Sequence, residues 1–200
     1  MTRPFLLGLT GSIGMGKTTT AAMFADEGVP VWDADAAVHR LYAREGVGVA
    51  AIAAIRPEAI VDGAVDRGRL KDWISADPAA LHRIEAAIHP LVAADRAAFV
   101  DRAARSGAGL VVLDIPLLFE TGADATVDAT LVVTAPAEVQ RARVLARPGM
   151  TEAQLAAILA RQMPDAEKRA RATHVIETLT LEQTRADVRR LIGKIRAAHA

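Results

Sequence analysis

The chain predicts an α/β fold built on a parallel sheet, and three observations carry that prediction. Short apolar runs bounded by Gly, Pro or Asp alternate with longer helical patterns, as they do where each strand is buried on both faces. The first run enters a glycine-rich loop that opens a helix, the strand–loop–helix order of a phosphate-binding turn. A long, mostly helical stretch then separates the second apolar run from the third, which predicts an insertion beside the sheet.

Taken in order, the predicted strands are Phe5–Thr10, Val29–Asp33, Leu110–Ile115, Thr130–Thr134 and His174–Glu177, each too short for a helix and mostly rich in Val, Leu and Ile. The first helix is expected from about Thr18 to Asp26, ending near Gly28. Between the second and third strands, Ala34 to Ser106 reads as helical, with a turn-rich patch RPEAIVDGAVDRG and a helix boundary at His89-Pro90, because proline disfavours helix in the residue before it. A final helix from Leu181 to about Ala198 carries Leu181, Val188, Leu191, Ile192 and Ile195 at spacings suited to docking on the core.

Composition narrows the function classes. With 52% apolar residues in 200 positions, one sizeable core can be buried. The 24 basic residues are balanced by 24 acidic ones, so there is no basic footprint for nucleic acid. Cysteine is absent, which excludes disulfides and thiolate metal sites and fits a reducing compartment. MTRPFLLGLTG reads as a strand entering a loop and not as a signal peptide, and no apolar run approaches the roughly 20 residues that span a bilayer. The expectation is a cytoplasmic protein with no nucleic-acid or membrane partner and no obligatory protein partner.

Gly11-Ser12-Ile13-Gly14-Met15-Gly16-Lys17-Thr18 satisfies G-x-x-x-x-G-K-[ST] at every fixed position. The glycines let the backbone curl so that successive N–H groups face phosphate oxygens, and the following helix adds its positive N-terminal end. Lys17 is expected on the β- and γ-phosphates, the Thr18 hydroxyl on Mg²⁺, and Thr19 beside the nucleotide. A guanine-reading N-K-x-D or T-K-x-D is missing, since none of Lys17, Lys71, Lys168 and Lys194 has Asp two residues later. That argues against a regulatory GTPase. A partner-driven ATPase stays open on the residues alone, whereas a small-molecule kinase needs an acceptor pocket, a group that handles the acceptor proton, and cations that close over the phosphates.

Each of those parts has a candidate. Val31-Trp32-Asp33-Ala34-Asp35 puts carboxylates at the C-terminal end of the second strand, where α/β sheets bind ligands. Asp33 either orients a substrate hydroxyl or holds a magnesium water; helix capping is the competing role and falls more naturally to Asp35. Asp114, ending the third strand, is either a carboxylate supporting Mg²⁺ or a strand-end residue before Pro116. The cations are sought in Arg141, Arg143, Arg147, Arg161, Lys168, Arg169 and Arg171, with Arg143 and Arg147 singled out as phosphate contacts and the others as solvated helix faces. His89 is either a helix-boundary residue or a phosphate or ribose contact, and none of the five histidines has metal-ligand spacing.

These residues resemble the dephospho-coenzyme A kinase family. GLTGSIGMGKT is similar to its GLTGGIGSGKS, Asp33-Ala34-Asp35 to its D-A-D, Asp66-Arg67 with Leu70 to its D-R-x-x-L, and Ile88-His89-Pro90 to its L/I-H-P. Pro116-Leu117-Leu118-Phe119-Glu120 matches P-L-L-F-E, Gln140, Arg143 and Arg147 fall on Q-x-x-R-x-x-x-R, and Arg161-Gln162 match a later pair. The resemblance spans nearly the whole chain. It implies the three-layer parallel sheet of a phosphate-loop kinase in one domain, with its core at about 1–33, 107–140 and 173–200, a helical acceptor-binding insertion at about 34–106, and an Arg-rich lid at about 141–172.

It also implies that ATP with Mg²⁺ phosphorylates the ribose 3′-hydroxyl of dephospho-coenzyme A. Lys17, the residues of 11–19, Arg143 and Arg147 would bind ATP, with Lys17, Arg143 and Asp33 catalytic. Asp33, Asp35, Arg67, His89 and Pro116 would bind the acceptor, and Thr18 the metal, joined by Asp114 or Asp33 through water. The alternative is another nucleotide or small-molecule kinase of the same architecture. One segment departs: Ala172-Thr173-His174-Val175-Ile176-Glu177-Thr178 stands where the family tends to have A-D-x-V-I-D-N, which withdraws any nucleotide contact from that Asp and Asn.

Overall fold

Phe5–Thr10 forms β1 and runs through Gly11–Gly16 into α1 (Lys17–Asp26), β2 (Val31–Asp33), α2 (Ala34–Tyr42) and α3 (Val47–Ile55). A small hairpin of β3 (Ile60–Val61) and β4 (Ala64–Val65) precedes α4 (Arg67–Ala76) and the long α5 (Ala80–Arg105). The chain returns to the sheet with β5 (Leu110–Asp114) and β6 (Ala129–Thr134), then α6 (Ala137–Leu145), α7 (Glu152–Leu159), α8 (Asp165–Arg171), β7 (His174–Glu177) and α9 (Leu181–Ala198). This computed structural model describes residues 3–199. Two compact units result, one made of the chain up to Trp32 and from Ala103 onward, the other of Asp33–Arg102.

The five-stranded sheet has the order β2-β5-β1-β6-β7, and β1 pairs in parallel with both β5 and β6, as β6 does with β7. Leu7 and Leu9 of β1, Val112 of β5 and Leu131 and Val133 of β6 share one core with Phe24 of α1 and Val188, Leu191, Ile192 and Ile195 of α9. Their neighbours along the strands, Leu6, Val111, Leu113 and Val132, are buried as well, which is why these strands read as continuous apolar runs. Each such side chain contributes about 1.5–3 kcal/mol by burial, so the sheet is the rigid platform for whatever its loops hold.

Two expectations in this unit are corrected. Leu181 is 69% exposed and takes no part in the α9 stripe, because it is the first residue of the helix and lies before the face that meets the sheet. The second strand begins at Val31 instead of Val29: Val29 N–H bonds back to the Phe24 carbonyl of α1, and Pro30, with no N–H, offers only its carbonyl to Val112 N–H.

The unit Asp33–Arg102 has its own core of Leu41, Ile52, Val65, Leu70, Trp73, Ile84 and Ile88. The expected boundary at His89-Pro90 does not occur, since α5 runs through Pro90. A mid-helix proline costs about 3 kcal/mol. Here Ile84 and Ile88 before it and Leu91 and Val92 after it pack on the same core, so ending the helix would forfeit more than the proline costs. The turn-rich patch resolves into the β3–β4 hairpin, closed by Asp62 and Gly63 at φ 49° and 79°, as a primed two-residue turn requires. Among the described residues no helix is long and apolar enough to cross a membrane.

Candidate active site

The loop after β1 takes its shape from missing side chains. Gly14 and Gly16 sit at φ 78° and 83°, which disfavours any other residue. A Cβ at Gly14 would lie 2.5 Å from Val144 Cγ2, and one at Gly16 would lie 3.0 Å from Thr178 Oγ1, so the backbone also needs the room. Ser12 accepts from Met15 N–H at 3.1 Å within the turn. Helix α1 begins at Lys17, one residue earlier than expected, and no side chain caps it. The N–H groups of its first turn therefore receive no side-chain cap, and Thr18 and Thr19 are exposed beside them.

Lys17 reaches across to β5, where its Nζ lies 2.5 Å from Asp114 Oδ1. The β1–β5 register, which pairs Leu9 with Asp114, sets this carboxylate beside the start of the loop. Asp114 is buried. Two glutamines clamp the loop at Ile13: Gln140 Nε2 of α6 donates to its carbonyl at 2.8 Å, and its N–H donates to Gln162 Oε1 at 3.2 Å. Both stood in the family-like pattern without an assigned role, because the partner of a polar side chain is a long-range fact.

Arg143 and Arg147 differ in how they are held. Arg143 donates through Nη1 to Thr178 Oγ1 at 3.0 Å and through Nη2 to the Thr178 carbonyl at 2.5 Å. Arg147, just past α6, is exposed, and its side chain makes no hydrogen bond or ion pair among the described residues. A cavity of about 270 Å³ is lined by Gly14, Gly16, Thr19, Arg143, Arg147 and Thr178 together with residues of the β7–α9 turn. The structure thus gathers several of the expected nucleotide residues at one place and adds Thr178, which the sequence marked only as a departure.

Lys168 is not a free lid cation. It is fully buried, with Nζ 2.8 Å from Glu120 Oε1. Glu120 also accepts Met163 N–H at 2.9 Å, and Thr134 Oγ1 donates to Asp165 at 2.8 Å. Burial pushes the Glu120 carboxyl up, but the Lys168 ammonium and the Met163 N–H outweigh it and hold its pKa below the ordinary value. The final Glu of P-L-L-F-E therefore anchors the start of α8, while Leu118 and Phe119 fill the core. Arg141 pairs with Glu152, Arg169 with Asp165 and Arg171 with Asp124, all on exposed faces as expected of solvated charge.

Within Asp33–Arg102, Asp33 caps α2 by accepting Ala36 N–H at 2.9 Å, a role the sequence reading had given to Asp35. The β-region backbone of Asp33 is what a cap requires, whereas Asp35 already lies inside the helix. Asp66 caps α4 in the same way and so starts the helix at Arg67, whose guanidinium sits 5.8 Å from the Tyr42 ring centroid. Burial raises the Tyr42 pKa, and the Arg67 charge opposes that rise. Asp35, Tyr42, Arg67 and Lys71 line one cavity of about 620 Å³. His89 is exposed on α5. Pro116 lies in the other unit, after β5, where its carbonyl accepts from Thr10 Oγ1 at 3.0 Å.

Among the described residues no three His, Asp or Glu side chains converge as a metal cage. A magnesium nucleotide needs none, because Mg²⁺ keeps several waters and takes substrate phosphates with one or two protein oxygens. The Thr18 hydroxyl at the start of α1 and the Asp114 carboxylate at the end of β5 fit that sparse set.

A sequence model of the dephospho-CoA kinase family matches residues 5–182. The chain is similar to a dephospho-CoA kinase of Cereibacter sphaeroides, 68% identical over 194 residues that cover 97% of each chain. A dephospho-CoA kinase of Jannaschia sp. is 63% identical over 96% of this chain and 97% of its own length. Among solved structures, one from Thermus thermophilus covers 100% of both chains at 36% identity with a TM-score of 0.81.

Proposed function

The chain belongs to the dephospho-CoA kinase family, and from that premise we propose that it transfers the γ-phosphate of ATP to the ribose 3′-hydroxyl of dephospho-coenzyme A, giving coenzyme A and ADP as the last step of coenzyme A biosynthesis. The observation that carries the reading is the 68% identity, across 97% of both chains, to a relative named for that kinase. The phosphate loop and the cavity beside it support the donor half independently.

The loop amides and the uncapped start of α1 take the β- and γ-phosphates, and Lys17 turns its ammonium from Asp114 toward them. Thr18 and Asp114 would hold magnesium, which when bound would supply neutralisation of the charge on the phosphates. The acceptor oxygen attacks the γ-phosphorus as the bond to the β–γ bridging oxygen breaks, and ADP leaves with that oxygen. The hydroxyl proton passes to the Asp33 carboxylate, which can release its Ala36 N–H while α2 keeps its remaining turns. Arg143 and Arg147 offset charge on the transferring group. Arg67, already stacked on Tyr42, offers a planar fork to an acceptor phosphate, with Asp35 and Lys71 lining the same cavity.

The test is ADP release from Mg-ATP with and without dephospho-coenzyme A, with the product's phosphate located by mass spectrometry and NMR. Acceptor-dependent ADP and a 3′-phosphorylated product are expected. ADP release indifferent to the acceptor would leave a nucleotide-binding loop and remove the kinase reading.

A further inference from the structure

Thr178 stands where the loop, the sheet and α6 meet, and resting on the phosphoryl-transfer reading above, we propose that it is a positioning residue that sets Arg143 against the phosphate loop. Its backbone is fixed first: Thr178 N–H donates to the Thr134 carbonyl at 2.8 Å, carrying the β6–β7 ladder one step past β7. The side chain is buried. Its hydroxyl has one proton, shared between the Met15 carbonyl at 2.9 Å and the Thr134 carbonyl at 3.2 Å. Because that proton points at the loop and β6, a lone pair is left for Arg143 Nη1 at 3.0 Å, while the Thr178 carbonyl takes Nη2 at 2.5 Å.

One residue thus grips both terminal nitrogens of the guanidinium and the loop together. A guanidinium has five N–H donors, and this grip uses two, fixing the plane in which the others are presented. The grip is seated on Gly16, where an added Cβ would meet Thr178 Oγ1, Cβ and Cγ2 at 3.0, 3.2 and 3.3 Å. Arg147, four residues on, has no comparable tether. A threonine at this position therefore acts on Arg143 through its hydroxyl together with its main-chain carbonyl.

The test is a double-mutant cycle on Mg-ATP affinity, with kcat and KM for ATP measured alongside, in the wild-type chain, Thr178→Val, Thr178→Ser, Arg143→Ala and Arg143→Ala/Thr178→Val. Valine keeps the shape and the main-chain carbonyl and removes the hydroxyl. It should weaken affinity and kcat/KM by about tenfold, the scale of one lost charged hydrogen bond, and serine should restore both to within about twofold. In the Arg143→Ala background the valine substitution should cost no more than about twofold further, because the group it positions is gone. A Thr178→Val chain that behaves as wild type, or a loss repeated in full without Arg143, would overturn the inference, the latter by placing the effect in the loop alone. Thermal melts of Thr178→Ser and Thr178→Val verify that each folds. The affinity cycle needs no acceptor, so it decides Thr178 even where acceptor-dependent ADP release fails and the kinase reading falls with it.

Discussion

In residues 11–18 the candidate binding groups are mostly main-chain N–H groups, whereas in Asp33–Arg102 they are side chains on helix ends and faces. Gly14 and Gly16 hold a conformation that other residues resist, and their bare Cα atoms lie against Val144 and Thr178. Lys17 is seated on a buried carboxylate. In the helical unit, by contrast, Asp35 and His89 are exposed, and Arg67 is steadied by stacking on Tyr42 and by the helix start that Asp66 sets. Rigid elements suit a compact, highly charged ligand part, the triphosphate, whose oxygens must be held in fixed positions for transfer.

The comparison is tested hardest at Lys17. Lys17→Ala should lower turnover by about two to three orders of magnitude, measured as acceptor-dependent ADP release, and near-normal turnover would break the claim that this side chain meets the phosphates. Next is Asp33, where capping and chemistry can be separated. Asn is as good a cap as Asp, so Asp33→Asn should keep the melting temperature and Mg-ATP affinity and reduce kcat by about a hundredfold. A collapse of ATP affinity instead would make Asp33 a metal support.

Arg67→Ala should raise KM for dephospho-coenzyme A by about tenfold while leaving Mg-ATP affinity unchanged. An equal loss of ATP affinity would erase the contrast between the two regions. The smallest effect is on stability. The folded pKa of Glu120 lies below its ordinary value near 4.5. Its contribution to stability is therefore complete above that value and is lost as pH falls through the lower, folded one. The melting temperature should drop on this account as the medium is acidified past that window, and Glu120→Gln, with no carboxylate to titrate, should show a shallower acid slope.

The phosphate loop was legible because its function is a backbone conformation, and a backbone conformation of that kind leaves glycines at fixed spacing. The strands were legible because burial on both faces writes continuous apolar runs, which β1, β5 and β6 display. Locally weighted rules failed wherever distant residues paid a local cost. Pro90 should end a helix and does not, since Ile84, Ile88, Leu91 and Val92 share one core. Leu181 matched a hydrophobic spacing and lies in solvent, because spacing cannot say where a helix begins to touch its neighbour.

What the sequence by itself determined is the order of strand, loop and helix and the chemistry that the loop can perform, since both follow from residue types within a few positions of one another. What only the tertiary structure decided is which side chains act together. Lys168 stood in a run of cations, and its burial against Glu120 makes it an anchor. Thr178 looked like a lost contact, yet its hydroxyl meets the Met15 carbonyl across 163 positions and holds Arg143 beside the loop. A hydrogen bond is chosen by distances of about 3 Å between atoms, and no pattern along a chain encodes those distances until the chain has folded.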